Sequence, residues 1–191
     1  MRLPSTQITE SIQRRIKYGY GRFLLMKGRL QEAEALFREV LVSHKGHVAA
    51  RLGLAKALEA QGLQAKMDNL HEITKKYFEE AEKELKHALY WAKVNKRDKD
   101  RIYHQLGWLY VHWERYNDAL NAFRRAIQEA QEEHFSNYWG AGKALMALGR
   151  WEEALGYLRK ALQTAEELKP PASEEIPALM EICLKELGLA N

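Results

Sequence analysis

Tyr103-His104-Gln105-Leu106-Gly107-Trp108-Leu109-Tyr110 is the stretch that decides how this chain folds. Its apolar residues recur three and four apart, the spacing of one helical face, with a glycine among them. The pattern runs on through Tyr116, Ala119, Phe123 and Ala126, and then returns. Tyr138, Ala141, Gly142, Leu145, Trp151, Ala154, Leu158 and Ala161 repeat the places of Tyr103, Leu106, Gly107, Tyr110, Tyr116, Ala119, Phe123 and Ala126, 35 residues later. Upstream, Lys17, Tyr20, Gly21, Leu24, Leu30, Ala33, Phe37 and Val40 fit the same frame. A period in the mid-thirties, with small residues fixed between large apolar ones, marks stacked helical hairpins.

Composition agrees. The 191 residues are 46% hydrophobic and 29% charged, the balance of a folded domain or short solenoid. Only Pro4, Pro170, Pro171 and Pro177 could break a helix, and no segment alternates at period two, so the chain is expected to be all-α. The single cysteine, Cys183, excludes an internal disulfide framework and sits in an apolar stretch, as a buried thiol does. The amino terminus lacks the apolar run of a secretory signal, and no stretch approaches the ~18 apolar residues of a membrane span, so a cytoplasmic protein is expected. The net charge of +4 is uneven: residues 1–61 hold 11 Lys+Arg against 5 Asp+Glu, residues 134–191 hold 6 against 8. The amino-terminal half is the part expected to meet something acidic.

Along the chain, Ser5 or Thr6 can cap a first helix whose Ile8, Ile12 and Ile16 share one face, with a stop at Gly28. A second helix covers roughly Leu30–Val42. The next hairpin starts near Val48 and is expected to stop at Gly62. There the period breaks. The small residue due five positions after Gly62 appears as Ala81, about 14 residues late. Asn69-Leu70-His71-Glu72 offers a capping-box-like start to one long helix, about Leu70–Val94, with Leu70, Ile73, Tyr77 and Phe78 on an apolar stripe. Asn95 to Asp100 is a charged connector. Helices at about 100–113, 117–132, 136–148 and 151–168 follow. Lys169-Pro170-Pro171 stops the array, and Ser173 caps a final helix.

These motifs resemble the tetratricopeptide repeat. Residues 103–110 match that family's aromatic–x–x–Leu–Gly–x–x–Tyr signature, and Ala119, Phe123 and Ala126 supply its second-helix positions. The resemblance implies a right-handed α-solenoid forming one domain over 1–191. Its repeats lie at about 14–47, 48–94 (with a helical insertion near 63–80), 100–134 and 135–168, and a capping helix spans 173–188. Lys45, Gln131 and Glu166 stand where a repeat-closing proline is usual.

The resemblance also implies that the first helix of each repeat lines a concave groove through its positions two, five, nine and twelve. These are Arg15, Tyr18, Arg22 and Leu25; Ala49, Leu52, Lys56 and Glu59; Arg101, His104, Trp108 and Val111; Ser136, Trp139, Lys143 and Met146. Five are Lys or Arg and one is a carboxylate. Tyr18, Trp108 and Trp139 are aromatic where the fold does not require it, which suits an acidic peptide or protein with apolar anchors. The alternative is that Trp108 and Trp139 pack on one another or beneath the final helix. Where relatives that hold heat-shock chaperone tails carry Lys, Asn and Arg, this chain has Tyr18, Arg22, Gly53, Arg101 and Gln105, so that role is disfavoured.

Catalytic, cofactor and metal sites are not expected. His104 and His112 are eight residues apart, about 12 Å along a helix; His44 and His47 lack a third ligand; His71-Glu72 lacks a second histidine. The function expected is a scaffold, adaptor or chaperone that binds a protein segment. Single-stranded RNA is the rival partner, and for Leu70, Ile73, Tyr77 and Phe78 two roles are open: a homodimer or second partner contact, or an intramolecular cover over an adjacent repeat or the Gly62–Asp68 connector.

Overall fold

The computed structural model describes residues 5–95, 98–167 and 175–189, with side chains over 9–92, 98–165 and 175–189. The expected stop at Lys169-Pro170-Pro171, the Ser173 cap, the Lys96-Arg97 part of the connector and the side chains of Ser5 and Thr6 lie outside them. Among the described residues the chain is helical between turns: α1 (Ser5–Met26), α2 (Leu30–Ser43), α3 (Val48–Met67), α4 (His71–Asn95), α5 (Lys99–His112), α6 (Tyr116–Glu129), α7 (Phe135–Ala147), α8 (Trp151–Glu167) and α9 (Glu175–Glu186). They fall into two compact units, Met1–Asp98 and Lys99–Asn191. In the first, α1 packs on α2, α2 on α3 and α3 on α4, with α1 also touching α3; in the second, α5 to α9 pack in the same sequential way, with α5 touching α7.

One device holds neighbouring hairpins together in each unit. Phe37 of α2 is fully buried, wedged between Gly21 of its own hairpin and Gly53 of the next. A Cβ on Gly21 would lie 3.0 Å from the ring, and one on Gly53 only 2.5 Å. Phe123 of α6 is fully buried in the same way between Gly107 and Gly140, where either Cβ would come within 2.6 Å of Cε1. Glycine is needed here for close approach, so that a large ring can fill the space between three helices at interior density. Ala33, Ala81, Ala119, Ala126, Ala154 and Ala161 are buried to the same purpose, and Leu158 closes on Gly142.

The turn inside each hairpin is also repeated. Gly28 and Gly149 adopt φ of 73° and 70°, and the next amide reaches back five residues: Arg29 N–H to Leu24 O at 3.0 Å, Arg150 N–H to Leu145 O at 2.9 Å. These left-handed closures satisfy carbonyls that the helix end would leave bare. Arg29 and Arg150 then hydrogen-bond the acid three residues on, Glu32 at 2.5 Å and Glu153 at 2.6 Å. Arg115 does the same with Asp118 at 2.7 Å, after Glu114 has taken the left-handed place at φ 62°.

The second hairpin departs from the sequence reading. Gly62 does not end α3, which continues through it to Met67. The left-handed residue is Asn69, at φ 57°: its N–H donates to Lys66 O at 3.1 Å, and Leu70 N–H donates to Ala65 O at 2.8 Å. Asn69 therefore closes α3 instead of capping α4, and Gly62 is a mid-helix glycine. A Cβ there would fall 2.6 Å from Phe78. Phe78 is fully buried against α3, so as a member of an exposed second interface it is corrected, and for this residue the intramolecular alternative holds. Tyr77 is half-buried against the same glycine, while Leu70 and Ile73 are exposed beside Met67 at the hairpin tip. The extra residues are shared between the two helices, about seven in each. Seven residues fall ~20° short of two full turns, so both helices keep the same face toward each other.

Polar contacts tie the first unit together. Arg38 of α2 pairs with Glu80 of α4 at 2.6 Å and with Glu34 at 2.9 Å, and Glu34 accepts from buried Gln61 of α3 at 2.7 Å. Arg51 holds the start of α3 to Lys45 O at 2.8 Å and to Glu84 of α4. In the second unit α9 lies on α8 with Ile176 and Cys183 fully buried; burial pushes the Cys183 thiol up, toward its unreactive neutral form.

Candidate functional site

In the first unit, α1 brings Arg15, Tyr18 and Arg22 to one edge. Arg15 and Arg22 are exposed and Tyr18 is half-buried, with the Arg22 guanidinium 5.9 Å from the Tyr18 ring centroid. Tyr18 also sits 5.2 Å from the His47 ring and 6.1 Å from Phe37. His47 is the cap of α3: its Nδ1 accepts the Ala50 N–H at 3.1 Å. Burial, then the His44 and Arg14 charges, hold the imidazole below its ordinary value and so in the neutral form that can accept. Lys56 is exposed, whereas Leu52, expected in the groove, is buried in the core.

In the second unit, α5 and α7 bring His104, Trp108, Trp139 and Lys143 together. The Trp108 and Trp139 rings lie 5.0 Å apart at 59°, and Trp108 rests edge-on against Phe123 at 5.4 Å. His104 Nδ1–H donates to Asn137 Oδ1 at 2.7 Å, and its ring approaches both Trp108 (6.4 Å) and Phe123 (6.3 Å). The two tryptophans do pack on one another, yet both remain half-buried. They form an aromatic shelf whose floor is Phe123. The Trp139 Nε1–H is buried without an acceptor. Lys143 Nζ lies 5.0 Å from the Trp139 ring and pairs with Glu175 of α9 at 2.8 Å, so the capping helix closes one end of the shelf. Arg101 is exposed on α5, one turn before His104.

Another concavity of the second unit has no counterpart in the sequence reading. A cavity of about 420 Å³ opens among α6, α7 and α8, lined by Ile127, Tyr138, Gly156 and Tyr157 and edged by Arg124, Glu153 and Lys160. Gly156 leaves room because nothing stands within 4 Å of where its Cβ would be. The Tyr138 hydroxyl donates to Glu133 at 2.9 Å; burial and then that carboxylate push its pKa up to about 12. Lys160 pairs with Glu133 at 2.9 Å and Arg124 with Glu153 at 3.5 Å. In sequence Tyr138 is only a repeat marker, and Gly156 falls outside the repeating set, so the period gives no cue to this cavity.

Among the described residues, no group of three or more His, Cys, Asp or Glu is placed to share a metal ion, and no helix is long and apolar enough to cross a membrane.

Two tetratricopeptide repeat models match the chain, over residues 16–63 and 104–172. No curated protein matches it. Among solved structures, a thermophilic TPR protein of Thermus thermophilus superposes with a TM-score of 0.70 at 22% identity, over 88% of this chain and 80% of that one. PilF of Pseudomonas aeruginosa gives 0.72 at 18% identity, over 92% and 69%. YrrB, a TPR protein, gives 0.63 at 16%, over 95% and 84%. At these identities the likeness carries the fold, an all-α solenoid of helical hairpins. With the repeated signature, the glycine–phenylalanine wedges and the matching repeat models, the conclusion is that the chain belongs to the tetratricopeptide repeat family.

Proposed function

We propose that this chain is a non-catalytic binding module, a scaffold, adaptor or chaperone that holds a segment of another protein against its first-helix faces. The observation that carries this reading is the half-buried Trp108–Trp139 shelf with His104, Arg101 and Lys143 around it. Aromatic anchors beside cations are the composition of binding hot spots, and they favour a segment with carboxylates and apolar side chains. Arg15, Tyr18, Arg22 and Lys56 offer the same chemistry on the first unit. The repeat family supplies a second support, since one protein of this fold, YrrB, is described by an unusual peptide-binding site.

The test is selection of a random peptide library on the immobilised chain, followed by anisotropy with the enriched peptides. Acidic peptides with apolar anchors should emerge, and Trp108→Ala should weaken them about thirtyfold, the equivalent of ~2 kcal/mol for an anchor aromatic. Unchanged affinity in Trp108→Ala and Trp139→Ala, both still folded, refutes the reading. So does submicromolar binding of mixed-sequence single-stranded RNA at physiological salt, because general positive charge gives only weak, salt-sensitive association.

A further inference from the structure

The face of α1 turned away from α2 is built like an inter-repeat joint. Counting each first helix from the same origin, position six is Gly19 in α1, Gly53 in α3 and Gly140 in α7, while α5 has buried Gln105 there. Gly53 and Gly140 are where the preceding helix inserts Phe37 and Phe123. Around Gly19 nothing stands within 4 Å of the missing Cβ. The flanking positions three, seven and ten tell the same story. In α3 they are Ala50, Leu54 and Ala57, and in α7 Asn137, Ala141 and Ala144, all buried. In α1 they are Ile16, Tyr20 and Phe23, which are 64%, 49% and 45% exposed, with Ile12 and Met26 exposed beyond them. A free helix face normally turns polar, but here the packing positions keep bulky apolar residues around a glycine notch.

Charge identifies what fits. Ser5–Met26 contains Arg14, Arg15, Lys17 and Arg22 against one acid, Glu10, and Lys27 and Arg29 follow. Among the described residues neither Arg15 nor Arg22 is held in an ion pair, and both border the apolar stripe. A second copy of α1 would set these cations against their own kind. A helix with carboxylates on its flanks would meet them favourably.

We propose that the outward face of α1 is a docking site for an amphipathic helix of another protein, one that places a phenylalanine in the Gly19 notch and carboxylates beside Arg15 and Arg22. The chain contains a template for such a helix. Leu30–Ser43 carries Phe37 at its centre with Glu32, Glu34 and Glu39 against Arg38, and it fills the corresponding notch of α3. The interaction shares only Arg15 and Arg22 with the first-helix groove, while the Gly19 notch with Ile16, Tyr20 and Phe23 belongs to it alone, and it adds the partner as one more layer on α1.

A fluorescein-labelled, helix-stapled peptide of residues 30–43 is the probe, since a free 14-residue helix is marginal in water. Titrated with the full chain, it should bind saturably and weaken with salt. Phe37→Ala in the peptide, and Gly19→Leu in the chain, should each lower affinity at least tenfold. Gly19→Leu should leave the melting temperature equal or higher, because open space surrounds that position. A peptide that fails to bind overturns the proposal, as does one whose affinity ignores Gly19→Leu. A wild-type chain whose light-scattering mass is that of a dimer, reverting to monomer in Gly19→Leu, would assign the face to a second copy and overturn it as well.

Discussion

Glycine to alanine in a helix interior ordinarily stabilises a protein by about 1 kcal/mol, because alanine has less backbone freedom to lose. At Gly140 the sign should reverse. A Cβ there would come within 2.6 Å of Phe123 Cε1, on a ring that is fully buried and has nowhere to retreat. Overpacking of this kind costs about 1–3 kcal/mol, so after the ~1 kcal/mol helical gain Gly140→Ala should destabilise the second unit by up to about 2 kcal/mol net. Phe123→Ala should cost about 3–5 kcal/mol through the cavity it leaves. In that background the clash is gone, and adding Gly140→Ala should now stabilise by about 1 kcal/mol. The cycle therefore shows a favourable coupling of roughly 1–3 kcal/mol, above the ~0.5 kcal/mol scatter of independent sites. Urea unfolding followed by tryptophan emission is a suitable assay, since Trp108, Trp113, Trp139 and Trp151 lie in this unit and only Trp91 in the other. Gly19→Ala is the control: with no neighbour it should gain the ordinary increment. A neutral or stabilising Gly140→Ala in the wild-type background, with no coupling to Phe123, would refute the wedge.

Glu114→Gly relieves a left-handed residue that is not glycine and should raise stability by about 1 kcal/mol in the same urea assay. His47 takes up a proton less readily folded than unfolded, so the native state binds fewer protons between its lowered pKa and the usual ~6.5. Stability should therefore fall as the pH drops through that window, and His47→Asn, which keeps a capping acceptor without titrating, should flatten the slope of melting temperature against pH. At the tip of the second hairpin, Leu70→Ser with Ile73→Ser should change the melting temperature little, whereas Phe78→Ala should cost about 3–5 kcal/mol; an equal loss from both would place the tip in the core.

The hairpins, their register and most of their boundaries are legible because small and large residues alternate at fixed offsets, and that pattern is the packing itself. Gly62 misleads because a glycine at a helix end and one under a neighbouring ring look alike in one dimension. What separates them is Phe78, sixteen residues on, together with an asparagine that takes the left-handed turn. The groove positions are legible as places on a helix, and the Trp108–Trp139 contact is one of two options open there. That Leu52 turns inward and that Lys143 meets Glu175 depends on how neighbouring helices lean, which no spacing encodes. Ile12 and Ile16 are readable as an apolar face, but not that this face looks away from the rest of its unit.

The second hairpin implies that repeat length in such an array is a stepped quantity. One added residue swings everything beyond it by about 100° around the helix axis, so a lone insertion would turn core side chains into solvent. Seven on each side nearly cancel that rotation and lengthen the arm by about 10 Å. Growth by heptad pairs is therefore neutral for the interior while moving the tip outward. The tip at Met67, Leu70 and Ile73 can be set at a chosen reach from its neighbours without disturbing what lies beneath it.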